Sequence, residues 1–157
     1  TAEEWKSFAD SKTPAWCYYD FDESNGEKVG RLYNWYAVND PRGIAPQGWR
    51  IPTQQEWLQL KEFLGVSTNG QKLKSTEGWG GVPHDGTNEV GYNGYPAGFI
   101  KPDGGFKFGD TRAFYWTSTS YAADNSSAHF HSLDENQFQV ASGEAEKEYG
   151  FSVRCVK

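Results

Sequence analysis

The stretch Gly48-Trp49-Arg50-Ile51-Pro52-Thr53-Gln54-Gln55-Glu56-Trp57 carries the clearest local signal in the sequence. Thr53 and Glu56 have the spacing of a capping box, in which a hydroxyl and a carboxylate satisfy the free amide groups at the start of a helix. Apolar residues then recur at helical spacing, at Trp57, Leu60, Phe63 and Leu64. Since Gly65 is a typical helix stop, the sequence predicts a helix between Thr53 and Gly65.

The segments on either side complete an α+β pattern. Residues 1–10 repeat the capping signal with Thr1 and Glu4, residues 16–19 predict a short strand, and the apolar spacing over 31–38 predicts another helix. From Val66 to Thr111 glycines alternate with aromatic residues, which indicates a long irregular region held by rings. Alternating segments then predict antiparallel C-terminal strands, at 114–118, 128–133, 137–140 and 151–155, with 134–136 as a hairpin turn.

Composition indicates one folded unit. The chain has 157 residues, and its seven Trp, nine Tyr and ten Phe supply enough aromatic surface for a packed core. We therefore expect a single domain over 1–157, with 1–15 as an N-terminal helical extension. A net charge of −6 argues against nucleic acid and anionic membranes as partners. No apolar run approaches the ~20 residues of a membrane span, so we expect no membrane insertion.

The two cysteines, Cys17 and Cys155, lie near opposite ends of the chain. A disulfide between them would join the first predicted strand to the last and would place the protein in an oxidising compartment. Two buried free thiols are the alternative that the positions leave open.

Several further segments occur together in a consistent order across residues 16–157. They are Leu32-Tyr33-Asn34-Trp35-Tyr36-Ala37-Val38, Pro41-Arg42-Gly43, the stretch from Ala45 to Trp57, Tyr115-Trp116-Thr117-Ser118-Thr119 and Gly150-Phe151-Ser152-Val153-Arg154-Cys155-Val156. Together they resemble the Fibrobacter succinogenes major paralogous domain, of the C-type lectin-like fold and close to its formylglycine-generating (sulfatase-modifying) branch. The fold expectation thus becomes a C-type lectin-like domain.

The resemblance implies that the N- and C-terminal strands pair, and it supports the Cys17–Cys155 bridge on those strands. It implies framework roles for four residues: Trp35, Trp49, Trp57 and Arg154. It also implies a secreted or cell-surface bacterial protein, with this chain as a monomeric domain beside others. The family's own function is poorly defined, so the resemblance specifies the fold more firmly than an activity.

No catalytic constellation stands out, and we expect no enzyme. The formylglycine-generating branch oxidises cysteines with active-site cysteines in its C-terminal half, but no cysteine lies between Cys17 and Cys155. The carboxylate of Glu56 is explained by helix capping. Serines are numerous, but none stands in a G-x-S-x-G elbow.

We expect no bound metal, although two alternatives stay open. His129 and His131 are two apart on a predicted strand, and with His84 or an acid they would suit zinc. Asp20-x-Asp22-x-Ser24 begins like a calcium loop, but Asn25 replaces the required glycine. Oxygen-rich loops would still suit calcium, through Asn88, Glu89, Asp103 and Asp110.

What remains is a polar and aromatic surface over residues 115–149. Tyrosines offer rigid contact area, and Ser, Asn and Asp offer adaptable hydrogen bonds. The predicted ligand-binding residues are Tyr115, Trp116, Tyr121, Asp124, Asn125, Ser126, His129, His131, Asp134, Asn136 and Gln139. The leading hypothesis is an extracellular, non-catalytic recognition module for a protein or glycan ligand. The alternatives are a structural spacer of a larger surface protein and a divergent enzyme of the formylglycine-generating type.

Overall fold

A computed structural model describes residues 1–80 and 86–157 of the chain. Its helices are α1 (Ala2–Ser11), α2 (Gly26–Val29), α3 (Trp35–Val38), α4 (Gln54–Leu64) and α5 (Asn69–Leu73). Its strands are β1 (Trp16–Cys17), β2 (Leu32–Asn34), β3 (Phe99–Ile100), β4 (Phe106–Lys107), β5 (Arg112–Ser120), β6 (Ser127–Asp134), β7 (Ala141–Glu146) and β8 (Gly150–Phe151). Two turns of 3-10 helix, Tyr19–Phe21 and Glu23–Asn25, connect β1 to α2. No helix within the described ranges is long and apolar enough to cross a membrane.

Both predicted capping boxes are formed, so α1 and α4 begin where the sequence predicts. In α4 the Thr53 hydroxyl accepts a hydrogen bond from the Glu56 amide at 3.2 Å, and the Glu56 carboxylate accepts one from the Thr53 amide at 2.8 Å. Gly65 ends α4 with a φ of +87°, a left-handed conformation that favours glycine. The prediction for this helix is confirmed at both ends.

Residues 31–38 are not one helix but strand β2 followed by the short helix α3. The side chain of Asn34 is buried and sits at the junction. Its Oδ1 atom accepts hydrogen bonds from the amides of Ala15 and Ala37, each at 3.0 Å. Asn34 therefore caps α3 and also fixes the chain that leads into β1, which is why the helix starts only at Trp35.

Residues 137–140 are irregular, and the predicted strand begins only at Ala141. The carbonyl of Phe138 accepts a hydrogen bond from the Gln71 amide at 3.1 Å, and the Val140 amide donates to Asn69 Oδ1 at 2.8 Å. Because these backbone groups bond to α5, they are not available to extend a ladder with β6.

The strands form two antiparallel sheets. The first has the order β1-β2-β8-β3-β4, and the second has the order β5-β6-β7. The chain that follows β8 connects them, because Ser152 exchanges backbone hydrogen bonds with β5 at 2.9 and 3.0 Å. Helices packed with antiparallel sheets are consistent with the predicted α+β class.

Strands β5 and β6 of the second sheet are covered on both faces, whereas β7 is largely exposed. On one face Tyr115 and Leu133 pack with Trp57 of α4, whereas on the other face Trp116 packs with Phe151 of the first sheet. Neighbouring residues of β5 alternate between these clusters, as side chains in a strand must.

Helix α1 contributes to a further hydrophobic cluster, which lies against the first sheet, and is part of the core. The side chain of Trp5 is 3% exposed and packs with Leu32 and Ile100 of the first sheet. A Cβ atom added at Gly150 would overlap both Trp5 and Ile100, so the glycine allows the indole to lie directly on the sheet. The N-terminal helix is thus packed into the fold and does not project from it.

The predicted Cys17–Cys155 disulfide is wrong, and both thiols are free. Cys17 lies on β1 and Cys155 follows β8, but β2 stands between those two strands in the sheet. The predicted pairing of the first and last strands is therefore wrong as well. After β8 the chain turns to β5 and then pairs Val156 with Arg50, whereas the Cys17 side chain is buried in the cluster under α1.

Candidate functional site

Three of the predicted contact residues are buried. Trp116 and His131 have no exposed surface, and Tyr115 is 4% exposed. The Trp116 ring packs on Phe151 at 4.3 Å, and its Nε1 atom donates to the Tyr33 carbonyl at 2.9 Å. The expectation that these three side chains are displayed on a strand surface is wrong, because β5 and β6 are covered on both faces at these positions.

His131 is a buried structural histidine. Its ring stacks on Trp57 at 4.8 Å, Nε2 lies 2.8 Å from Gln54 Oε1, and Nδ1 lies 3.1 Å from Ser142 Oγ. Burial, with a smaller contribution from the charge of Lys61, lowers the pKa of His131 to about 3. The imidazole is therefore neutral at physiological pH.

His129 lies on the same strand but has different neighbours. Tyr121 meets its ring edge-on at 5.3 Å, and Glu144 Oε1 is 3.3 Å from its Nδ1 atom. The described residues contain no group of three or more His, Cys, Asp or Glu arranged to hold a metal ion. His84, the third ligand considered for zinc, lies outside the described residues. Of the oxygens considered for calcium, those of Glu89 and Asp103 face Lys72 and Lys101.

The remaining predicted contacts are divided between two ends of the second sheet. Tyr121, Asp124, Asn125 and Ser126 lie in the β5–β6 turn, and Asp134, Asn136 and Gln139 lie where β6 ends. The eight residues of β6 separate these ends by roughly 24 Å. They do not form one face, and binding by either loop stays a prediction.

Two of the acids on these loops hold their own backbone. Asp124 accepts hydrogen bonds from the amides of Ser126 at 2.7 Å and Ser127 at 2.8 Å, and Asp134 accepts one from the amide of Asn136 at 2.9 Å. These contacts are typical of Asx turns and account for the acids without a ligand.

The structure instead places a cleft of about 1030 Å³ between residues 18–33, residues 93–95 and residues 152–154. Three partly exposed tyrosines and three cationic side chains line it, namely Tyr18, Tyr33, Tyr95, Lys28, Arg31 and Arg154. Glu23 and Glu27 contribute carboxylates, and the buried Tyr115 reaches the cleft from the second sheet. Burial raises the pKa of Tyr115, so its hydroxyl stays protonated at neutral pH.

Local packing positions Arg31 at one side of the cleft. Its guanidinium lies 4.1 Å from the centre of the Trp16 ring and donates a hydrogen bond to the Tyr18 hydroxyl at 3.3 Å. A Cβ atom added at Gly26 would overlap the Tyr18 ring, so this glycine allows the ring to pack on α2. The aromatic contacts hold the planar guanidinium in place at the cleft, where it also interacts with the Tyr33 side chain.

Arg154 and Lys28 line other sides of the cleft. The Arg154 guanidinium lies 4.6 Å from the centre of the Tyr92 ring and donates to the Tyr92 carbonyl. Lys28 Nζ is 5.7 Å from the centre of the Tyr95 ring, whose hydroxyl donates to Glu77 at 3.1 Å. Within the described residues, Lys28, Arg31 and Arg154 form no ion pair with a carboxylate.

Comparison with protein families identifies the chain. The family model of the Fibrobacter succinogenes major domain matches residues 1–157. The chain belongs to this family. The predicted family is therefore confirmed, and the match also covers residues 1–15, which the resemblance did not include. The relation to the C-type lectin-like fold and to its formylglycine-generating branch stays a prediction. Searches of the curated proteins and of the solved structures found no match.

Of the four residues assigned to the framework of this Fibrobacter succinogenes major domain, two are core residues. Trp35 is 5% exposed and Trp57 is 2% exposed, whereas Trp49 is 47% exposed. Arg154 is exposed and lines the cleft. Arg154 stands in the same closing motif as the core residue Phe151, so the sequence indicated a core position for it. It is exposed because β8 ends at Phe151 and the chain then leaves the sheet.

Sequence reasoning also missed the other cleft residues of this domain. The available signal was the spacing of rings and a cation, Trp16, Tyr18, Arg31 and Tyr33, around the glycines at 26 and 30. That spacing has no period typical of a helix or a strand. Only the pairing of β1 with β2, which places Trp16 opposite Tyr33, brings these side chains together.

Proposed function

We propose that this domain is a non-catalytic binding module whose ligand occupies the cleft between residues 18–33, 93–95 and 152–154. The cleft itself carries the proposal. Its volume of about 1030 Å³ is at the upper end of the range typical of small-molecule sites. Rigid tyrosine rings beside flexible hydrogen-bonding side chains are the chemistry of recognition surfaces.

The cysteines support a non-catalytic role. Burial raises the pKa of Cys17 to about 12, and burial also raises the pKa of Cys155. Both groups therefore stay as thiols at neutral pH, and neither lines the cleft. Thiol-based catalysis is thus disfavoured because burial keeps both cysteines protonated, and not because they form a disulfide. A divergent formylglycine-generating enzyme is the less favoured function.

We propose further that the fold is C-type lectin-like and that the chain is one monomeric domain of a bacterial secreted or cell-surface protein. The α+β order of the elements and the family membership support these proposals. The compartment rests on the family resemblance alone, since no disulfide requires an oxidising location. The alternative function is a structural spacer that binds no small ligand.

The test is a screen of glycan and protein arrays with the wild-type domain and a Tyr18→Ala/Tyr95→Ala variant. We expect the variant to lose at least about tenfold in affinity for any ligand found, because buried aromatic contacts dominate such sites. Binding should be the same with added calcium and with a chelator, since the proposal includes no cofactor.

A Tyr121→Ala/Gln139→Ala variant is the matched control, because these side chains lie on the loops at the two ends of β6. It should bind as wild type does, and thermal melting should show that both variants fold. If the control loses binding while the Tyr18/Tyr95 variant keeps it, the site lies on the loops and the cleft assignment is wrong. Failure to bind anything on either array would favour the spacer.

A further inference from the structure

We propose that the ligand of the cleft is a glycan that carries carboxylate groups, as uronic acid polymers do. This inference rests on the proposed binding function and specifies the ligand class of the same site.

Three cations at the cleft lack a carboxylate partner within the part of the chain that the structure describes. Lys28, Arg31 and Arg154 are exposed at the cleft and take part in no ion pair among the described residues. In this chain of net charge −6, other cations such as Arg50, Lys101 and Arg112 face carboxylates. The cleft thus concentrates unpaired positive charge on an acidic protein, and it would attract an anion.

The geometry of the two arginines favours carboxylate as that anion. Each guanidinium is held against an aromatic ring, Arg31 on Trp16 and Arg154 on Tyr92. An arginine that is stacked on a ring presents its N–H groups in a fixed plane, which suits the two oxygens of a carboxylate. Lys28 adds a third, more mobile charge.

The acids in the cleft argue against a dense polyanion. Glu23 and Glu27 line the same space as the cations. A polyanion with no hydroxyl groups, such as an acidic peptide, would meet repulsion from both carboxylates. A uronic acid polymer carries one carboxylate per sugar beside several hydroxyls, and those hydroxyls would donate to the two glutamates.

The rings complete the match to a sugar. Tyr18, Tyr33 and Tyr95 line the cleft and are each partly exposed. Tyrosine offers an apolar face for the C–H groups of a sugar ring and a hydroxyl for its polar edge. A uronic acid polymer can therefore interact with the cations, the acids and the rings of the cleft.

The experiment measures binding of hexasaccharides of galacturonate, glucuronate or mannuronate to the whole domain by calorimetry. The same oligomers as methyl esters are the matched ligands, because esterification removes the charge and keeps the rings and hydroxyls. Polyglutamate of similar length represents an acidic peptide. We expect at least one acid oligomer to bind at least about tenfold more tightly than its ester.

An Arg31→Gln/Arg154→Gln variant should weaken binding of that acid oligomer by roughly tenfold or more. A Lys107→Gln/Lys157→Gln variant removes the same charge from exposed positions outside the cleft and should bind as wild type does. Salt gives a readout that needs no variant. Affinity for the acid should fall as the Debye length shortens from about 10 Å at 0.1 M to about 3 Å at 1 M, and affinity for the ester should not.

Equal binding of acid and ester, or binding of polyglutamate in preference to every oligosaccharide, would overturn the inference. So would an absence of binding across the whole panel. None of these results decides the proposed function, which depends on whether the Tyr18/Tyr95 variant loses an array ligand. Equal loss in both charge variants would also overturn it, since net charge and not the cleft would then explain the affinity.

Discussion

At the scale of single residues, His131 illustrates how a polar side chain becomes part of the core. Its ring has an aromatic partner in Trp57 and a hydrogen-bonding partner for each nitrogen in Gln54 and Ser142. A buried imidazole with these contacts costs little while it is neutral, but protonation would place an unpaired charge beside Lys61.

This arrangement predicts a pH-dependent stability. Because the pKa of His131 is lowered from 6.5 to about 3 in the folded state, its contribution is complete above pH 6.5 and is lost as pH falls towards 3. A His131→Gln variant should lose less stability than wild type as the solution is acidified across this window. Urea denaturation at a series of pH values measures the difference. His129→Gln is the control, and a slope unchanged by His131→Gln would contradict the assignment.

At the scale of elements, helix α4 depends on the residues that surround its first turn. Glu56 accepts hydrogen bonds from the Thr53 amide and hydroxyl, and its carboxylate also faces Arg50. The Arg50 guanidinium is the largest contribution that lowers the pKa of Glu56 to about 2. One carboxylate thus caps α4 and holds the chain that pairs with Val156.

Two substitutions test this cap. Thr53→Ala should cost about 1 kcal/mol of unfolding free energy, the usual value for loss of such a cap. In wild type the contribution of the Glu56 charge should be lost as pH falls from 4.5 towards 2, because the folded-state pKa is the lower one. Glu56→Gln should lack this acid-dependent loss. Gln55→Ala, on the exposed side of α4, is the control for both, and equal effects at 53 and 55 would contradict the capping role.

At the scale of the whole molecule, α1 closes the first sheet. Trp5 lies on Gly150, at the strand where β2 and β3 meet β8. The N-terminal residues therefore stabilise the strands built from both ends of the chain, and they do so without a covalent bond between the cysteines.

Substitutions at Trp5 and Gly150 should therefore be coupled. Trp5→Ala should cost about 3–5 kcal/mol through the cavity that it leaves, and Gly150→Ala about 1–3 kcal/mol through overpacking. The double variant should cost less than the sum, because removal of the indole makes room for part of the added methyl group. Urea denaturation of the four proteins measures the coupling. Additive costs would show that the two residues do not act on each other.

The sequence by itself determined the capping boxes at Thr1 and Thr53, the helix stop at Gly65, the α+β class and the family. These features depend on residues that are close along the chain, or on motifs that keep their order. Only the tertiary structure decided the separation of the cysteines, the burial of His131 and the cleft. Each of these depends on which strands become neighbours, and no local pattern records that β2 stands between β1 and β8.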